Sequence, residues 1–73
     1  MIKKLTTDEA LAKAREIDSE ESASCHSVYV GTRFGHRHLI HRVHDLSGCD
    51  HISIGGVTPE TEAALAAAGI DCR

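Results

Sequence analysis

The stretch Phe34-Gly35-His36-Arg37-His38-Leu39-Ile40-His41-Arg42-Val43-His44-Asp45-Leu46-Ser47-Gly48-Cys49-Asp50-His51-Ile52-Ser53-Ile54 holds five of the six histidines of a 73-residue chain. From His36 to Asp45 its side chains alternate with a period of two, as in a strand. One face then shows Arg37, Leu39, His41 and Val43, the other His36, His38, Ile40, Arg42 and His44. Ser47-Gly48 fits a two-residue hairpin loop. With that turn, Leu46 faces Cys49, His44 faces His51, Val43 faces Ile52 and His41 faces Ile54. Opposed residues share a face, so Leu39, Val43, Ile52 and Ile54 form the core side. His36, His38, Arg42, His44, Cys49 and His51 gather on the other.

On the N-terminal side, Val28 and Val30 alternate with Ser27 and Tyr29 as a half-buried strand, joined to the next by the glycine-bracketed Gly31-Thr32-Arg33-Phe34-Gly35. Further back, Thr6 and Glu9 have capping-box spacing, and Ala10, Leu11, Ala14 and Ile17 recur at helical intervals. A helix is expected over 7–19, ending in the polar, aperiodic 19–24. On the C-terminal side, Gly55-Gly56 ends the strand, Thr58 is an N-cap and Pro59 fits the first helical position. Gly69 is placed for a left-handed C′ position, with Ile70 reaching back to Leu65 in a Schellman stop. The expected architecture is one α+β domain over 1–73, in the order α-β-β-β-α. It is a two-layer fold with both helices on one face of a three-stranded antiparallel sheet.

Six isoleucines, five leucines and four valines make a thin core, with nine alanines adding little. A chain this short buries only about 60% of the surface its unfolded form exposes. Small scaffolds commonly add a metal, disulfides or a second subunit, so a homodimer or a protein partner is expected. Net charge is −3, which argues against a nucleic-acid module held by phosphate neutralisation. Residues 1–21 and 57–73 each carry −2, while 24–56 carry +1 and all six histidines. The middle of the chain is therefore the part expected to meet something. Glu16, Asp18, Glu20 and Glu21 form an acidic group on the first helix and its exit.

Cys25, Cys49 and Cys72 are an odd number without Cys-x-x-Cys spacing, so no disulfide framework is readable. Met1 to Leu5 is followed by Thr-Thr-Asp-Glu and not by an apolar signal core. No apolar run reaches the ~18–20 residues of a membrane span. A cytoplasmic, reduced location is expected, with no membrane association.

No nucleotide fingerprint, nucleophile elbow or His-Glu-x-x-His motif is present. Cys25 and His26 are strand neighbours pointing to opposite faces, unsuited to a thiolate–imidazole pair. No catalytic residue is assigned. The expected function is non-enzymatic binding of a protein partner through the acidic helices and an exposed sheet face carrying Tyr29, His36, His38, Ile40, Arg42 and His44, a mixture suited to an interface. No cofactor is required by that reading; the alternative is a zinc or copper site at His44, Cys49 and His51, since imidazoles with a thiolate suit those metals.

The α-β-β-β-α order, the run Gly35-His36-Arg37-His38 and the ending Thr61-Glu62-Ala63-Ala64-Leu65-Ala66-Ala67-Ala68-Gly69-Ile70 resemble the HicA toxin family. That resemblance implies a double-stranded-RNA-binding-like fold and mRNA interferase activity, with His36 or His38 as the catalytic candidate. The family's Gly-Ser-His type motif is altered here, and the lysines it carries near the sheet are missing. As a small acidic single domain the chain is also similar in profile to phage-encoded inhibitors of host enzymes, including anti-CRISPR proteins.

Overall fold

The computed structural model describes residues 3–18 and 26–73. The expected helix stop at 19–24, Cys25, Glu20 and Glu21 lie outside the described residues. In chain order the elements are α1 (Thr7–Asp18), β1 (His26–Arg33), β2 (His36–Asp45), β3 (Gly48–Gly56), α2 (Pro59–Ala67) and β4 (Asp71–Cys72).

Local chemistry sets the helix ends. The Thr6 N–H donates to Glu9 Oε1 at 3.0 Å and the Glu9 N–H to Thr6 Oγ1 at 3.1 Å, closing the capping box on α1. The same bonds hold the Glu9 carboxyl below its ordinary range, the Thr6 backbone contributing most. Thr58 caps α2 by accepting from the Thr61 N–H, with Pro59 at the first position. At its far end Ile70 N–H donates to the Leu65 carbonyl and Gly69 N–H to that of Ala66, both at 3.0 Å. Gly69 has φ 91°. This is the expected Schellman stop.

Ala10, Ala14 and Ile17 of α1 are buried, as is Leu65 of α2. They join Leu5, Val28, Val30, Leu39 and Val57 in one core, which places both helices against the sheet face bearing Val28, Val30 and Leu39. Inside it, the buried Thr61 hydroxyl lies 3.0 Å from Thr7 Oγ1 and 3.1 Å from Thr58 Oγ1, linking the two helix starts.

The sheet has four strands, not three, in the order β3-β2-β1-β4. β1, β2 and β3 are antiparallel neighbours, whereas β4 runs parallel to β1, pairing Tyr29 with Asp71 and Val30 with Cys72. The turn at Gly69 redirects the chain, Ile70 and Cys72 pack on the core, and the Arg73 N–H donates to the Val30 carbonyl at 2.9 Å. A two-residue strand leaves no alternation to read, so the expectation of a purely antiparallel sheet is corrected to a mixed one.

The β2–β3 register also differs from expectation. Asp45 pairs with Gly48, His44 with Cys49, Arg42 with His51 and His41 with Ile52, so the bend lies at Leu46-Ser47. The positive φ falls on Gly48 (131°), after the bend, while neither Leu46 nor Ser47 has one. From Ile40 to Asp45 each β2 residue thus meets a β3 residue two places earlier than expected. A slip of two preserves the faces, whereas a slip of one inverts them.

Between Leu39 and Ile40 the ladder shifts, with Ile40 opposite Ser53 and Leu39 opposite Gly55. Ile54 is the extra residue of this bulge and packs on the core. A Cβ on Gly55 would lie 2.9 Å from Leu5 Cγ and 3.2 Å from the Lys3 carbonyl oxygen. The strand therefore continues through Gly55-Gly56, where lack of side chains admits the 3–5 segment. Leu5 N–H donates to the Gly56 carbonyl and Gly56 N–H to that of Lys3, each at 2.8 Å.

Candidate binding face

Strand alternation places Tyr29, Gly31 and Arg33 of β1, His36, His38, Ile40, Arg42 and His44 of β2, and Cys49, His51 and Ser53 of β3 on the face away from the helices. All six residues expected to bind a partner share it, as do the three metal candidates. They differ in depth. His36, Arg42 and His44 are exposed and Tyr29 is half-buried. His38 is only 5% exposed and Ile40 only 3%, so the expectation that these two stand open to solvent is corrected. His38 is flanked by Gly31 on β1 and Gly56 on β3, two neighbours without side chains.

Tyr29 is the centre of this face. Its ring approaches so near that a Cβ on Gly31 would lie 2.9 Å from Tyr29 Cε2, and 3.5 Å from Ile40 Cδ1. The Arg73 guanidinium lies 4.4 Å from the ring centroid in a cation–π contact, while its Nε donates to Asp71 at 3.0 Å. The Tyr29 hydroxyl oxygen is 2.9 Å from His51 Nδ1, and the two rings meet edge to face at 5.8 Å. Arg33 Nη1 donates to the His51 carbonyl at 2.9 Å. On the other side of His51, Nε2 lies 3.7 Å from Cys49 Sγ. His44 sits directly opposite Cys49. Among the described residues no three His, Cys, Asp or Glu side chains stand together as a ready metal-holding set.

His38 Nδ1 lies 2.6 Å from Ser53 Oγ, while its buried Nε2 has no hydrogen-bond partner among the described residues. Burial first, then the charges of His36 and Arg33, hold its pKa below the ordinary imidazole value. The neutral form of His38 is thereby favoured, and the ring belongs to the structure of the face more than to its surface.

On the helix side, His26 Nδ1 and His41 Nε2 are 2.9 Å apart. Arg37 makes a two-pronged ion pair with Glu62 of α2, both bonds 3.0 Å, and donates to Thr32. The Glu62 bond raises the Arg37 pKa, and the reciprocal bond depresses that of Glu62. Burial, followed by Glu62, pushes the Cys72 thiol up. At the start of β2 a groove of about 710 Å³ is lined by Lys4, Gly35, His36, Arg37, Gly56, Val57 and Pro59.

Four residues belong to this picture that the strand pattern did not single out. Arg73 lies over the Tyr29 ring and Arg33 holds the His51 main chain. Lys4 reaches the groove because the 3–5 segment joins the β3 edge. Phe34 is 87% exposed with φ 53°, a conformation a bulky residue rarely holds. It occupies the first place of the β1–β2 turn, ahead of Gly35 at φ 78°. An aromatic where Asn or Asp is favoured was the available signal.

Charge divides between the layers. The outer face carries Arg33, Arg42 and the neighbouring Arg73 against one carboxylate, Asp71, already engaged by Arg73. The helices carry Asp8, Glu9, Glu16, Asp18, Glu60 and Glu62 against Lys13 and Arg15. Among the described residues no helix is long and apolar enough to cross a membrane. No family model, no curated protein and no solved structure matches the chain.

Proposed function

We propose that this chain is a small non-enzymatic binding protein that docks the outer face of its sheet on an acidic surface of a protein partner. The supporting observation is the excess of arginine on that face, set around a half-buried tyrosine and exposed histidines, with the carboxylates concentrated on the helices. Tyr and Arg are the side chains that carry most energy at protein interfaces, and complementary charge steers such encounters. A cytoplasmic phage-type inhibitor of a host complex, such as an anti-CRISPR protein, is the class of binder this profile resembles. The test is capture of a partner from a bacterial lysate by the tagged chain. Arg42→Glu should abolish capture while leaving the fold intact, and undiminished capture counts against the face. Size-exclusion with light scattering separates this from a homodimer using the same surface.

A second reading is HicA-like RNA binding and cleavage. It is favoured by exposed His36 standing at the rim of the groove that Lys4 and Arg37 line. RNA cleavage lost in His36→Ala would support it over docking.

A further inference from the structure

We propose that Cys49, His51 and His44 form a zinc site at the tip of the β2–β3 hairpin, with Tyr29 positioning the His51 ring. The proposal is independent of the docking reading. Cys49 Sγ and His51 Nε2 converge to 3.7 Å on the outer face. Zinc bonds of about 2.3 Å to sulfur and about 2.0–2.1 Å to nitrogen, at a tetrahedral angle, require those atoms about 3.6 Å apart. Two ligands are thus already set at the edge length of the tetrahedron.

The orientation of His51 supplies the second observation. Its Nδ1 lies 2.9 Å from the Tyr29 hydroxyl and its main chain is held by Arg33. A proton on Nδ1 donated to the Tyr29 oxygen leaves the Nε2 lone pair directed at the Cys49 side. Metal-binding imidazoles are commonly fixed by an outer partner on the other nitrogen in this way.

The third ligand is exposed His44, directly opposite Cys49 on the same face. Opposed residues have Cβ atoms about 4.5–5.5 Å apart, so rotation of one surface side chain completes Cys-His-His. A fourth position is left for water or an incoming group. On binding, the Cys49 thiol releases its proton to solvent as the sulfur–zinc bond forms, and both imidazoles coordinate as neutral rings. Arg42, opposite His51, adds positive charge near the site, so the thiolate is the ligand that balances the cation.

The test is titration of the full chain, under reducing conditions, with Zn²⁺ by calorimetry and with Co²⁺ by visible absorption. One metal per chain is expected, with a thiolate-to-cobalt charge-transfer band and tetrahedral ligand-field intensity. Cys49→Ser should remove the band, and His51→Ala or His44→Ala should each weaken binding and lower that intensity. Tyr29→Phe should weaken binding about 10–100-fold. A band that survives Cys49→Ser, affinity unchanged in either histidine variant, or affinity unchanged in Tyr29→Phe overturns the proposal. Zinc-edge X-ray absorption on the unaltered chain requires no variant to fold. One sulfur neighbour with nitrogens supports the site, and a shell of oxygens alone overturns it.

Discussion

His38 shows most directly how one side chain constrains the whole face. It is 5% exposed, bonded through Nδ1 to Ser53, and its Nε2 is enclosed without a partner among the described residues. Burial disfavours its charged form, the charges of His36 and Arg33 add to that, and its folded-state pKa lies below the ordinary 6.5. In the unfolded chain the ring titrates near the ordinary value, so below it the unfolded state binds more protons. The contribution of His38 to stability is therefore complete above the ordinary value and is lost as pH falls through it towards the depressed one. Urea midpoints measured between about pH 8 and pH 5.5 should fall on the acid side, and His38→Gln should flatten that dependence. Equal slopes in the two proteins would mean that the ring titrates as an exposed one. Alternation in the sequence assigned His38 and Ile40 to the correct face but not to their depth. Depth depends on the residues that stand alongside, Gly31 and Gly56 opposite His38 and Tyr29 opposite Ile40, which only the cross-strand register brings together.

Among the elements, those whose ends depend on neighbouring residues were readable in the sequence. The Thr6–Glu9 box, the Thr58-Pro59 start and the Gly69-Ile70 stop are each completed within six residues. The hairpin was harder because Ser47 and Gly48 are compatible with two bends one position apart, and choosing requires knowing which residue takes the positive φ. β4 was unreadable for another reason: its two residues are fixed by β1 and by the core, not by any pattern of their own. The α2 start gives the most direct test. Thr58 Oγ1 accepts the Thr61 N–H at 3.2 Å and touches the Thr61 hydroxyl, which in turn meets Thr7 of α1. Thr58→Ala should cost about 1 kcal/mol, seen as a melting temperature roughly 4–8 °C lower for a domain of this size. Thr58→Ser keeps the cap oxygen and should recover most of the loss. A Ser variant as unstable as the Ala variant would show that the methyl group, not the cap, was responsible.

At the scale of the whole molecule, the two sheet faces do different work. The inner face holds the core, with Leu39 wholly buried between Val30 on one side and Gly55 on the other. Truncating it should be severe: Leu39→Ala is expected to cost about 2–5 kcal/mol, against a typical total stability of about 5–15 kcal/mol. A domain of 73 residues has little to spare, so this variant should melt far earlier. Arg42 is exposed on the outer face, and Arg42→Glu should change stability by no more than about 0.5 kcal/mol. Denaturant unfolding of the two variants checks this division directly. The comparison also decides how a loss of partner capture is interpreted. If Arg42→Glu leaves the unfolding midpoint in place, lost capture reports a surface contact. If it destabilises the domain as Leu39→Ala does, the outer face is itself a structural layer, and lost capture would reflect an unfolded chain, not a missing charge.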